Sequence, residues 1–97
     1  MAIATINPAT GETLKTFDPM PDDQIEARLA AAVDGFAALR AASFPDRAGW
    51  MRAAADILTA ERDQLAATMT TEMGKTLRAA KAEVDKCATA CRFYADN

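Results

Sequence analysis

Of the 49 apolar residues in this 97-residue chain, 24 are alanine. Only 25 side chains remain that could fill a core: six Leu, four Ile, two Val, five Met, four Phe, one Trp, one Tyr and two Cys. Burial stabilises in proportion to apolar area removed from water, so an alanine contributes far less than a leucine or phenylalanine. The length allows one small domain at most. A core this thin implies a chain that leans on another surface, either a second copy of itself or more polypeptide.

Several classes are excluded by what is missing. No apolar run approaches the roughly 20 residues of a membrane helix. Met1-Ala2-Ile3-Ala4-Thr5-Ile6 has no basic region followed by an apolar block, so no secretory signal is expected. The formal charge of −3, with signs mixed along the chain, argues against a nucleic-acid partner. Leu, Ile, Val and Phe together number only 16, a level seen in disordered chains. Disorder also calls for high net charge or low complexity, and neither is present. The expectation is a helical, cytoplasmic protein.

Residues 1–18 differ from the rest. Ile3–Ile6 and Thr13–Phe17 are short, rich in Thr and Ile, and read as strands. Asn7-Pro8-Ala9-Thr10-Gly11 between them is a turn: Pro8 fixes φ, Asn7 can bond the following backbone and Gly11 tolerates positive φ. From Asp22 the period becomes helical. Ile25, Leu29, Val33, Phe36 and Leu39, with Ala32, share one face of a helix near 22–42. Asp23 and Glu26 have capping-box spacing, and Gly35 inside this helix suggests close packing. Ser43 caps a second helix with Pro45 in its first turn, and its stripe is Trp50, Met51, Ala54, Ile57 and Leu58. Leu65, Met69 and Met73 continue after a bend near Ala60-Glu61, and Gly74 closes that segment. A last helix from Thr76 presents Leu77, Ala80, Val84, Cys87, Cys91 and Tyr94. The predicted architecture is mainly α: a bundle of three to four helices (19–97) with a short N-terminal β-hairpin (1–18). The ending, Ala95-Asp96-Asn97, reads as a cut.

The candidate chemistry is sparse. Gly74-Lys75-Thr76 matches the end of a phosphate-binding GxxxxGK[ST] loop, but the required earlier glycine is Met69 and the preceding element reads as helix, not strand. Capping is the better reading. Cys87 and Cys91 lie four apart on one helix with no histidine and no further cysteine, short of the four ligands of a structural zinc site. A disulfide within one helical turn would strain the backbone, so packing is expected. Glu72 sits near a helix C-terminus, where the dipole disfavours an anion, and calls for a compensating cation or an arginine partner. The residues alone do not make a catalytic site.

As an ordered set, however, they resemble the aldehyde dehydrogenase family. Ile6-Asn7-Pro8-Ala9-Thr10-Gly11-Glu12 is similar to its opening strand-turn. Arg47, Ala55-Asp56-Ile57-Leu58, Leu65, Met69-Thr70-Thr71-Glu72-Met73-Gly74-Lys75, Ala82-Glu83-Val84 and Arg92-Phe93-Tyr94-Ala95 follow at the family's spacing. Within the family the chain looks most like the bacterial succinate-semialdehyde dehydrogenases.

The resemblance implies a parent α/β enzyme about five times longer, which oxidises an aldehyde to an acid with NAD or NADP. Its cysteine nucleophile, glutamate base and oxyanion-stabilising asparagine would all lie downstream of the matched region, so Cys87 and Cys91 are not the nucleophile. No catalysis and no cofactor binding are then expected from this segment alone. Residues 19–97 would be a truncated part of the cofactor-binding domain. The partners would be the remainder of the parent polypeptide and copies of itself as a homo-oligomer. Two sites carry over: a monovalent cation held by carbonyls of Thr5 and Ile6 with the carboxylate of Glu72, and an aldehyde tunnel flanked by Lys86 and Cys87. The faces of Val33, Phe36, Met51 and Cys91 are expected to be covered by a neighbour. From another class, the alternative is a self-contained helical interaction module.

Overall fold

The computed structural model describes residues 3–97. Two strands, β1 (Ile3–Ile6) and β2 (Thr13–Phe17), are followed by α1 (Asp22–Ala41), α2 (Phe44–Ala60), α3 (Arg62–Met73) and α4 (Leu77–Asp96). The strands pair antiparallel, Ile3 opposite Phe17 and Thr5 opposite Lys15, with an irregularity between Thr5 and Ile6. Their turn uses the chemistry its residues suggest. The Asn7 side chain accepts from the Ala9 N–H at 3.0 Å, the Asn7 carbonyl accepts from the Gly11 N–H at 2.8 Å, and Gly11 has φ 76°.

Local signals place the helix boundaries. The Ser43 hydroxyl accepts from the Asp46 N–H at 3.1 Å, with Pro45 in the first turn of α2. Thr76 does the same for α4 through the Ala79 N–H at 3.3 Å. Gly74 ends α3 in the left-handed region, φ 72° and ψ 13°. The bend expected near Ala60-Glu61 is the break between α2 and α3. The capping box does not form: α1 starts after Pro21 with no side-chain cap.

The core lies where α4 crosses α2 and α3, and it is built of small residues. Ala55 of α2, Ala66 of α3 and Ala80, Val84 and Ala88 of α4 are buried; Val84 is the largest of them. This shifts the expected α4 stripe. Ala88, not Cys87, faces inward, and Tyr94 is exposed. Likewise on α2, Met51, Ala54 and Leu58 are half-buried around Ala55, while Trp50 and Ile57 are exposed. Met51, Ala54, Leu58, Ala80 and Val84 of the expected stripes do face inward; weighting the pattern by side-chain size added bulky neighbours and missed Ala55 and Ala88, whose small side chains let the helices approach closely.

Ion pairs border this core. Arg52 meets Asp96 at 2.8 Å and Arg92 meets Asp56 at 3.4 Å between α2 and α4. Arg62 meets Asp85 at 3.5 Å and Lys81 meets Asp63 at 3.3 Å between α3 and α4. These pairs lie at the surface or partly covered and each contributes no more than about 1 kcal/mol, so their main effect is to fix register.

The other elements are barely packed. Among the described residues no element lies alongside α1, and α1 has no buried residue. Its apolar stripe faces outward, with Val33 68% and Phe36 63% exposed. Gly35 packs against nothing: a Cβ added there would meet no atom within 4 Å. The molecule is a slab of 47 × 40 × 16 Å with a radius of gyration of 17.4 Å. A compact domain of this length would have about 13 Å.

Candidate functional site

One junction brings together residues far apart in sequence. β1 packs on α3, and there the Thr5 hydroxyl donates to Glu72 Oε1 at 3.1 Å, across 67 positions. Two turn signals position it. The Asn7–Gly11 turn folds Pro8 back toward the end of α3, and Gly74 leaves room for it: a Cβ at Gly74 would stand 3.1 Å from Pro8 Cγ. Thus the glycine that caps α3 also admits the proline of the hairpin turn, setting Glu72 beside β1.

Of the three residues named for a cation, the structure joins Thr5 and Glu72 directly, and Ile6 follows Thr5 at the strand irregularity. Carboxylate and carbonyl oxygens are hard donors suited to such an ion. The sequence reading engaged Thr5 through its carbonyl; the structure also employs its hydroxyl. Among the described residues, no lysine or arginine forms an ion pair with Glu72.

The Gly-Lys-Thr sequence is engaged elsewhere. Gly74 closes α3, Thr76 caps α4, and Lys75 forms an ion pair with Glu83. That hydrogen bond and the charge of Lys75 hold the Glu83 carboxyl below its ordinary pKa, with Lys86 adding to the lowering. The only strands described are paired antiparallel and are not followed by a glycine-rich phosphate loop. These residues therefore do not fit a dinucleotide phosphate.

Lys86 and Cys87 are both exposed on α4, away from the buried line of Ala80, Val84 and Ala88. Cys91, one turn on, is half-buried, and both cysteines are free thiols. Tyr94, two turns on from Cys87, lies on the same flank of α4, and its ring meets that of Phe93 edge to face at 5.3 Å. A separate cleft of about 380 Å³ between the start of α2 and the end of α4 is lined by Phe44, Arg47, Met51 and Tyr94, among others. It holds no nucleophile beside a base.

Arg47 is the residue whose role the sequence did not reveal. From the first turn of α2 its Nη2 donates to the Leu39 carbonyl at 2.9 Å and reaches the Arg40 carbonyl at 3.4 Å. An arginine soon after a helix-ending segment is too common a pattern to announce this contact.

Comparison with known proteins follows the same order of elements. A model of the aldehyde dehydrogenase family matches residues 1–97. Succinate-semialdehyde dehydrogenase (NADP(+)) 1 of Mycobacterium tuberculosis strain H37Rv is 60% identical over all 97 residues. The succinate-semialdehyde dehydrogenase (NADP(+)) of Mycobacterium avium strain 104 is 55% identical over 98. The chain spans 21% of the length of each. The crystal structure of succinic semialdehyde dehydrogenase from Streptococcus pyogenes, in complex with NADP+ as the cofactor, superposes with a TM-score of 0.90 at 38% identity. That match covers 98% of this chain and 21% of that one.

Proposed function

The chain belongs to the aldehyde dehydrogenase family, and from that membership we propose that it works as the N-terminal segment of a longer enzyme oxidising succinate semialdehyde to succinate with NADP or NAD. The carrying observation is the 60% identity over the full chain to a relative of which it spans 21%. The fold supports it physically. A core of four alanines and one valine, with an uncovered apolar stripe on α1, suits a segment that gains most of its burial from further polypeptide. The extended shape favours this over a self-contained interaction module, which would close on itself. In the whole enzyme, residues 19–97 would belong to the cofactor-binding domain, and the protein would assemble as a homo-oligomer.

The nicotinamide cofactor, when bound, supplies the hydride acceptor. This segment provides no nucleophile and no base for that step. Its proposed contributions are two. Glu72, with the carbonyls of Thr5 and Ile6, would hold a monovalent cation at the β1–α3 junction, tying the hairpin to the body. Lys86 and Cys87 would flank the aldehyde tunnel, with Lys86 attracting the substrate's carboxylate.

The test is to extend the reading frame past Asn97 and assay both forms with succinate semialdehyde and NADP+, following reduced cofactor by absorbance. Turnover by the longer protein and none by the 97 residues is the expected result. A frame that stops there, or continues without a cysteine nucleophile and a dinucleotide-binding half, overturns the proposal. In the longer enzyme, Lys86→Met is expected to raise KM for succinate semialdehyde more than for an uncharged aldehyde.

A further inference from the structure

α1 is an arm. It joins the body through Ala42 and Ser43, both extended, and no other element lies alongside it among the described residues. Among the described residues, then, no packing fixes the direction of this 20-residue helix on its two-residue link. One side chain spans the corner. The Arg47 guanidinium donates to the carbonyls of Leu39 and Arg40 in the last turn of α1, where carbonyls run out of partners within the helix; the Leu39 carbonyl also accepts from the Ala42 N–H at 3.1 Å. It does so at the negative end of the helix dipole, where a cation is favoured. The same group stands 5.3 Å from the centre of the Phe44 ring at the start of α2.

The base of the clamp is itself rigid. The Ser43 hydroxyl accepts from the Asp46 N–H and donates to Asp46 Oδ2 at 2.8 Å, and Pro45 restricts the residue before it. Arg47 Nε is shut off from solvent without an acceptor. Such a desolvated donor is a cost, sustained here because the rest of the group is anchored on both helices.

We propose that Arg47 is the positioning residue that sets the angle of α1 to the body, and so the direction in which Ile25, Leu29, Val33 and Phe36 are presented. Nη2 alone serves both carbonyls, so what a lysine lacks is the planar group that lies over the Phe44 ring, since its charge is a point on a flexible stem. The inference rests on the corner geometry and not on the proposed enzyme activity, so either can fail alone.

The experiment uses the 97-residue chain with Cys87→Ser and Cys91→Ser, and spin labels at Glu26→Cys on α1 and Gln64→Cys on α3. Double electron–electron resonance should give one narrow distance. Arg47→Ala and Arg47→Lys should both spread it into a broad distribution with helix content by circular dichroism unchanged, and added guanidinium ion should partly restore the narrow peak in Arg47→Ala. A narrow peak that survives Arg47→Ala, or a broad one already present with Arg47 intact, overturns the proposal. Should Arg47→Ala fail to fold, nitrogen-15 NMR of the unsubstituted chain decides. Hindered rotation and slow exchange of the Arg47 Nη protons support the clamp, and a freely rotating guanidinium refutes it.

Discussion

The body formed by α2, α3 and α4 and the arm formed by α1 invert the usual relation between pattern and burial. α1 carries the cleanest stripe of large apolar residues, yet none of it is buried. The body closes on four alanines and a valine. Periodicity reports which face of a helix seeks a partner, not whether that partner lies in the same 97 residues. The amphipathic arm therefore marks a surface for something else, and the alanine faces mark where this chain closes on itself.

The largest expected effect follows from the tightness of the body. Ala80 is fully buried where α4 crosses its neighbours, and Ala80→Leu adds three carbons to a contact made for a methyl group. We expect a loss of about 1–3 kcal/mol, read as a lower denaturant midpoint with an unchanged slope. An unaltered midpoint would show that the helices can part cheaply, and the contrast with α1 would collapse.

Gly74 tests the link between hairpin and body. Gly74→Ala meets two obstacles, the positive φ of 72° and Pro8 Cγ at 3.1 Å. A cost of about 1 kcal/mol or more is expected in denaturation, together with NMR shift changes at Thr5 and Glu72. If only Lys75 and Thr76 shift, the glycine serves as a helix cap alone. Ser43→Ala removes a cap at the base of the arm and should cost about 1 kcal/mol. Gly in its place should cost only a few tenths, which would separate capping from general damage.

The same inversion explains how much could be read in advance. The turn at Asn7–Gly11, the caps at Ser43 and Thr76 and the stop at Gly74 were legible because each depends on a few adjacent residues with specific backbone chemistry. The inward faces of α2 and α4 were legible at Met51, Ala54, Leu58, Ala80 and Val84, but Ala55 and Ala88 were missed because alanine carries little periodic signal in a chain that has 24 of them. The Thr5–Glu72 hydrogen bond was not legible: family resemblance groups the two residues only as candidates for holding a cation, and no local rule connects residues 67 apart. The clamp at Arg47 was not legible at all: its acceptors are backbone carbonyls, which every residue supplies.

A smaller effect concerns pH. Lys75 holds the Glu83 carboxyl below its ordinary value in the fold, whereas in the unfolded chain that carboxyl titrates at the ordinary value. The unfolded state thus binds more protons in that window, so stability is present above it and falls as pH drops toward the folded value. The pair is exposed, so the slope should be shallow and weaken in salt. Glu83→Gln should flatten it further, and an unchanged slope would mean that other carboxylates set the acid limit.

The smallest effect is the sharpest probe of the comparison. Val33 lies in the middle of the arm's stripe and is 68% exposed, so Val33→Ala should change the stability of the 97-residue chain by no more than about 0.5 kcal/mol. In a family-length polypeptide the same substitution should cost as a core truncation does, because the stripe would then be buried. Equal small costs in both would mean that α1 stays uncovered in the longer protein. A large cost in the short chain would mean that copies of the chain already cover the stripe, and the midpoint would then rise with protein concentration.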